Sequence, residues 1–554
     1  MSSKPLDITM PIVHVSWDHS TSFTCPICGA RLEHAYNDGG RKAETMKGPV
    51  WVVTNFYRCR NVHCQLNKAF SPVQEATLKR KKHGVDVWAK VIQHHFKHRI
   101  DYATISELMW DDWEVSISPG TVQAICESFE VAATPKIDTE TKALVKKQGQ
   151  IVIRLDGAQP EKGRPAYWTF IDNASGKVLL GQMLEKANWE MLVEIFKKIE
   201  NEYGVDIVGG ISDKQSNIVK AFQQFKPGIP HAYCQYHFLD HVAEPIASKD
   251  SHLLTRLRSE VRAFSMVMNH VAETVKPVVS DSPVSDIFAP IIEELKCAIA
   301  TTGDCIKVFP GIEAYANLEH ILASISPFSG MNMPGRVKRS LSVLINQIEQ
   351  LLDECQPLQQ EIGAMLMDFN QLRCIFSHKN WSGARVKKAV NKWLYMLHCR
   401  LKRRNLENDP AKIKWVQATP AMEMSEAWQQ WIRLTNSYED GLYLAYDNKD
   451  LAFTNNDTES MFHQLKYQFK KWLGRSDIED TFEVHADNYA KLLDFDFTTE
   501  NISEILLTSE MAIVNENRQL LHAQYASTRR TWRIREKDTG NVIAFKENLQ
   551  ALTG

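Results

Sequence analysis

The sequence carries no excess of charge of either sign. Its 65 lysines and arginines against 67 aspartates and glutamates leave a net charge of −2. That excludes a uniformly basic nucleic-acid binder and leaves room for local basic faces. No secretory h-region stands at the start, and no apolar run reaches membrane-spanning length. The expectation is a cytoplasmic protein with no membrane contact. Eleven cysteines are then expected as thiols or metal ligands rather than disulfides. What the chain does have is enough apolar material, 44% of residues, to bury real cores. Its 554 residues correspond to roughly three to four domains of about 150 residues each.

Four cysteines are grouped. "TCPICGA" contains Cys25 and Cys28, and "YRCRNVHCQ" contains Cys59 and Cys64. Two sulfur pairs on tight turns suit one structural Zn²⁺ in tetrahedral coordination. His63 is an alternative to Cys64 as fourth ligand. "VWVVTNFYRC" reads as a strand leading into the second pair. A basic run follows, with Lys79, Arg80, Lys81 and Lys82. Three helices are predicted next, over Val85–Lys97, over Tyr102–Met109, and from a cap at Ser118 with Pro119 in first position. Val122, Ile125 and Phe129 face inward in the third, leaving Thr121, Gln123 and Glu127 outward. This is a helix-turn-helix pattern, and with the basic run beside it the expectation is DNA binding.

The middle of the chain alternates. "GQIVIRLDGAQ" is a strand ending at Asp156, and "AYWTFIDNASGKVLLGQM" is a hairpin. An amphipathic helix closed by Gly204 follows, then a strand before Asp213, a helix, and a fifth strand ending near Cys234. The order β-β-β-α-β-α-β, with an aspartate after two of its strands, matches the RNase H-like fold. Much later, "FTNNDTESMFHQLK" reads as a turn feeding an amphipathic helix with Glu459 in its first turn. Two strand-end aspartates and a third acid can hold two divalent ions about 3.5 to 4 Å apart.

With "RLDG", "ISDKQ", "TNNDTE" and "CQYH" in this chain, it resembles a DDE transposase of the RNase H-like superfamily. It is most similar to the branch with a C/D-x2-H motif, which includes Mutator-like, hAT-like and related bacterial insertion-sequence enzymes. The resemblance implies that Asp156, Asp213 and Glu459 are catalytic and hold two Mg²⁺ or Mn²⁺, with Cys234 and His237 supporting. Zinc held by Cys234 and His237 with His231 or His241 is the weaker alternative. The implied activity is cleavage of transposon ends and transfer of the 3′-hydroxyl into target DNA. The implied partners are double-stranded DNA (terminal inverted repeats and target) and a second copy of the chain or a higher oligomer. The chain would associate with the bacterial nucleoid when bound to DNA.

The residues between Phe238 and Asp450 read as nearly all helix. The stripe Leu341, Leu344, Ile345, Ile348, Leu351 and Leu352 is expected as the core of this insertion. A basic helix carries Lys387, Lys388, Lys392, Arg400, Lys402, Arg403 and Arg404, and Lys466, Lys470 and Lys471 follow Glu459. These cations are expected to meet DNA phosphates. Trp168, Trp381 and Trp393 are read as core residues before base-stacking ones.

The expected architecture is therefore multidomain, an α/β RNase H-like core interrupted by a large all-α insertion. It runs as a zinc ribbon (1–76), a helix-turn-helix domain (77–145), the first part of the core (146–238), the insertion (239–450), the second part of the core with the glutamate helix (451–500), and a C-terminal helix and β-hairpin (501–554). Two other readings remain. One is a domesticated DNA-binding protein without catalysis, the other a nuclease of the same fold that cuts without joining.

Overall fold

The computed structural model describes residues 10–15, 24–25, 27–64, 68–71, 78, 81–158, 165–184, 187–274, 284–300, 308–333, 335–406, 415, 417–474 and 478–528. Lys79, Arg80 and the C-terminal hairpin expected within 529–554 lie outside them. The chain is multidomain and mixes helix with sheet. It forms two compact units, Met1–Ile207 with Asp457–Gly554, and Val208–Asn456.

In chain order the strands and helices begin with β1 (Ile12–Val15), β2 (Leu32–Asn37), β3 (Arg41–Thr45) and β4 (Gly48–Cys59), then α1 (Val85–Ile92), α2 (Tyr102–Trp113) and α3 (Pro119–Gln148). Next come β5 (Ile151–Ala158), β6 (Ala166–Asp172), β7 (Val178–Leu184), α4 (Trp189–Tyr203), β8 (Ile207–Ser212), α5 (Ser216–Phe225) and β9 (His231–Tyr233). A helical stretch follows: α6 (Gln235–Thr274), α7 (Val284–Ile299), α8 (Pro310–Ile325), α9 (Gly335–Ser377), α10 (Gly383–Arg403), α11 (Met424–Ser437), α12 (Glu439–Leu442) and α13 (Leu444–Asp447). The last are α14 (Asn456–Leu473), α15 (Glu479–Leu492), α16 (Thr499–Thr508) and α17 over 511–528.

In the first unit, β4 is the spine of a small sheet, parallel to β1 and antiparallel to β2 and β3. β5, β6 and β7 form an antiparallel meander. Local signals set the helix ends. The Ser118 side chain accepts from the Thr121 N–H at the start of α3, and Gly149 (φ +78°) ends it in the left-handed region that glycine adopts without a Cβ clash. One core joins α1–α3 to β6, β7 and α14–α16, and Val122, Ile125 and Phe129 point into it as expected.

Glu127 does not point outward as its spacing predicts. It is 4% exposed, accepts from Gln123 Nε2 at 2.7 Å, and lies 2.7 Å from His522 Nε2 and 3.7 Å from Arg518 Nε. The physical reason is that α3 runs for 30 residues, so helices from the far end of the chain cover the side that a three-helix motif leaves open. One turn further along α3, buried Glu130 lies 2.9 Å from His485 Nδ1 and accepts from Asn488 Nδ2 at 2.8 Å.

In the second unit, β8 and β9 pair in parallel and α6–α13 pack around one large core. The expected leucine stripe lies in it: Leu344, Ile345, Ile348, Leu351 and Leu352 are buried, and Leu341 packs against them. Buried Asp368 ties three elements together. Its carboxylate accepts from Arg400 Nη1 on α10 and from Trp428 Nε1 on α11, and its carbonyl accepts from Trp393 Nε1.

Two outcomes follow. Phe129 is fully buried among Phe96, Phe495 and Phe497, so Phe129→Ala should cost about 3–5 kcal/mol in chemical denaturation. A loss below about 1 kcal/mol would contradict this packing. Burial opposes a charge on His485, yet the Glu130 carboxylate outweighs it and raises the imidazole pKa. The contribution is then whole below the unfolded pKa of about 6.5 and is lost as pH rises through the folded value. His485→Gln should therefore destabilise most at acidic pH. An equal effect at every pH would overturn the pairing.

Candidate functional site

The clearest constellation is the one that two short turns build from sulfur. β2 and β4 run antiparallel, and their register sets Leu32 opposite Cys59. The turn before β2 and the turn after β4 therefore meet at one end of the sheet. In the first turn the Gly29 N–H donates to the Cys25 carbonyl at 2.9 Å, and the Cys25 N–H to the Ala30 carbonyl at 2.7 Å. In the second, the Cys64 N–H donates to the Asn61 carbonyl at 3.0 Å.

The four sulfurs lie within 4.8 Å of one another. Cys25 and Cys64 are 3.8 Å apart, and Cys28 and Cys59 are 3.4 Å apart. A tetrahedron with metal–sulfur bonds of about 2.3 Å has edges of about 3.8 Å, whereas a disulfide needs about 2.05 Å. The spacing fits four thiolates around one metal ion such as zinc. Each turn also supplies an N–H to a sulfur. The Ala30 N–H lowers the Cys28 thiol to about 7, and the Asn61 N–H donates to Cys59 at 3.4 Å. Burial pushes Cys59 up to about 12. His63 is exposed, and Cys64, not His63, completes the set. Among the described residues no other group of three or more potential ligands is this close.

The acids singled out in the sequence occupy different settings. Asp156 is on β5, 7% exposed, with Oδ1 accepting from the Gly157 N–H at 2.8 Å. Glu459 is half-buried in the first turn of α14. The segments carrying these two acids are fastened in the first unit. Arg154, two residues before Asp156 and so on the same strand face, donates from Nη1 to Asp457 Oδ2 at 2.7 Å. Asp457 is two residues before Glu459. The guanidinium side is 7% exposed and the carboxylate side 81%, and the Arg154 Nε is buried with no hydrogen-bond partner.

In the second unit, Asp213 follows β8. Both of its oxygens are held by Gln215, through its N–H at 3.2 Å and its side-chain amide at 2.7 Å. Between them Lys214 adopts φ +67°, unusual for a residue with a Cβ. Its Nζ donates to Ser437 Oγ at 3.1 Å and sits 4.5 Å from the Tyr438 ring centroid. Buried Cys234 accepts the Asn455 N–H at 3.2 Å, and the Gln235 N–H donates to the Phe453 carbonyl at 2.9 Å. The "CQYH" stretch thus grips the loop that opens α14. The sequence shows no signal for this contact, because it joins a sulfur to a backbone amide 221 positions away. His237 is half-buried beside it on α6. His231 is bonded to Ser212 Oγ at 2.8 Å and His241 to Glu244 at 2.6 Å, so neither turns to Cys234.

The expected DNA-contacting residues divide. Lys82, Gln123, Arg403, Arg404, Lys470 and Lys471 are exposed, and Lys81, Thr121 and Lys466 are half-buried. Lys81 lies over Trp88, Gln123 is engaged with Glu127, and Arg404 lies over Trp428. Trp168 and Trp393 are core residues, whereas Trp381 is half-buried. No described helix is long and apolar enough to cross a membrane.

No protein-family model matches the chain, and a search of curated proteins finds no match.

If the four thiols hold a structural zinc, purified protein should carry about one zinc per chain by elemental analysis. Cys28→Ser and Cys59→Ser should each lower that content and expose the β2–β4 pair to hydrogen exchange. Full zinc retention in both variants would remove the metal reading.

Proposed function

We propose that the chain is a DNA transposase of the DDE type, which cuts phosphodiester bonds at the ends of an element and joins the freed 3′-hydroxyl to target DNA. The observation that carries the reading is the Arg154–Asp457 ion pair, 303 positions apart in the chain. It ties the strand of Asp156 to the first turn of the Glu459 helix. The pair supports the reading because it holds the segment of Asp156 beside the segment of Glu459.

Further support comes from the element order β5-β6-β7-α4-β8-α5-β9, which is the order expected of an RNase H-like core. Asp156, Asp213 and Glu459 would be the acids of such a core. The four-cysteine turns are read as a zinc ribbon. With four protein ligands no open position remains, so this metal is structural.

The three carboxylates offer hard oxygen donors, which suit Mg²⁺ or Mn²⁺. Divalent ions bound there would supply positive charge at the phosphate and lower the pKa of the attacking water. The chain's own residues do the rest. Gln215 fixes the orientation of the Asp213 carboxylate, and Gly157 does so for one oxygen of Asp156. Arg154 holds the helix that presents Glu459. Lys466, Lys470 and Lys471 continue along that helix and would neutralise backbone phosphates. Attack is a direct in-line displacement, first by water and then by the 3′-hydroxyl, so no covalent enzyme intermediate is needed. By resemblance to such enzymes, action on two ends would involve at least a dimer.

Incubation with labelled end DNA and Mg²⁺ or Mn²⁺ tests the reading. Cleaved and then joined products are expected. Asp156→Ala, Asp213→Ala and Glu459→Gln should each slow cleavage about a thousandfold or more while DNA binding persists. Arg154→Gln should cost about a hundredfold through misplacement of the glutamate. Cutting without joining favours the nuclease, and binding without cutting favours the domesticated protein. Undiminished cleavage by Asp156→Ala overturns the acid assignment.

A further inference from the structure

Helix α10 has an unusual composition. Its 21 residues contain no aspartate or glutamate, in a chain whose acids outnumber its lysines and arginines. The structure sorts its cations into two sets. Lys387 pairs with Glu439 at 2.7 Å, and Arg400 is bound to buried Asp368, so these two support the fold. Arg385, Lys388, Lys392, Lys402 and Arg403 are all exposed. Among the described residues none of the five has an acid within ion-pair distance.

Their arrangement is regular. At about 100° per residue, the five fall within an arc of about 100°, opposite the buried Val386, Val390, Leu394 and Leu397. From Arg385 to Arg403 the ridge extends about 27 Å at 1.5 Å per residue. Tyr395, 70% exposed, lies within the same arc. At the helix start the Arg385 guanidinium lies 4.1 Å from the Trp381 ring centroid, and Trp381 stacks on His378 at 4.2 Å with the rings 10° apart. Cations stand in the first two turns (Arg385, Lys387, Lys388), where the helix dipole already favours anions. A bound polyanion would offset their mutual repulsion.

We infer that the exposed ridge of α10 is a docking surface for the sugar–phosphate backbone of duplex DNA. This rests on the reading of DNA as substrate and assigns one part of its contact surface. A nucleic acid is favoured over an anionic membrane because Tyr395 is the one large apolar side chain on the ridge, too little to insert into lipid. The guanidinium stacked on Trp381 at one end of the ridge also offers a planar, cationic contact of the kind nucleic acids use.

The test uses the full chain and a fluorescent duplex of about 30 base pairs, with binding followed by anisotropy across a salt series. Lys388→Glu with Lys392→Glu, and Lys402→Glu with Arg403→Glu, are compared with wild type. Each double variant should weaken binding tenfold or more at low salt. Each should also flatten the slope of log affinity against log salt by about 0.9 for every phosphate that is no longer neutralised. Lys387→Gln, which removes a cation already paired, serves as control and should change the slope little. Unchanged thermal melting of the charge-reversed variants shows that the loss is local.

Wild-type affinity and slope in both double variants would overturn the proposal. So would loss of binding to phosphatidylserine vesicles with DNA binding intact. The two readings can fail separately. A chain that binds DNA through this ridge but never cuts it sinks the transposase reading and leaves the ridge standing. A chain that cuts, and binds equally well with the ridge reversed, does the opposite.

Discussion

The bond from Arg154 to Asp457 is the constraint on which the arrangement of the first unit turns. Its two sides are unequal. The guanidinium is almost wholly buried and the carboxylate almost wholly exposed. An exposed ion pair is worth little, because water screens it and two side chains must be ordered to make it. Here the cation is already out of water, so loss of Asp457 leaves a buried charge with a poorer set of partners. Its Nε already lacks one. The pair therefore acts as a fastener: breaking it is costly even if making it contributes modestly. Whatever α14 presents, it presents from a first turn held to β5.

The chain crosses between its two units at Ile207–Val208 and again at Asn456–Asp457. The second crossing lies in the turn that opens α14. Just before it, Asn455 and Phe453 are held by Cys234 and Gln235. Just after it, in the first unit, Asp457 is held by Arg154. Each anchor lies within its own unit.

Much of this was legible in the sequence, and the parts that were share a cause. Ser118 before Pro119, and Gly204, act within a few residues, so the helix ends they set were readable. The leucine stripe of α9 follows one helix period, and the cysteine pairs follow turn geometry. What stayed hidden depends on partners remote in sequence. Glu127 is four residues from Gln123 and reads as exposed. It is buried because Arg518 and His522 reach it from the far end of the chain, His522 across 395 positions. The same holds for Glu130, whose partners His485 and Asn488 lie 355 and 358 positions away. No periodicity in α3 announces either. The Cys234 bond to Asn455 is hidden for the further reason that its acceptor is a sulfur and its donor a backbone amide, which any residue but proline could supply.

The ligands are separated by softness as well as by position. The four sulfurs at the ends of β2 and β4 stand together with no carboxylate among them, a soft set that suits a metal such as zinc and has little affinity for magnesium. Asp156, Asp213 and Glu459 offer oxygen only. Cys234, the one thiol that the sequence places near an acid motif, has its sulfur engaged by the Asn455 N–H. A buried thiol that already accepts a hydrogen bond, and that belongs to no group of three or more close ligands among the described residues, makes a poor zinc site. The C-x2-H spacing, which has the look of half a zinc finger, is better explained as a grip on the backbone. A metal drawn to sulfur then has one place in the described chain to go, and that place offers it no carboxylate.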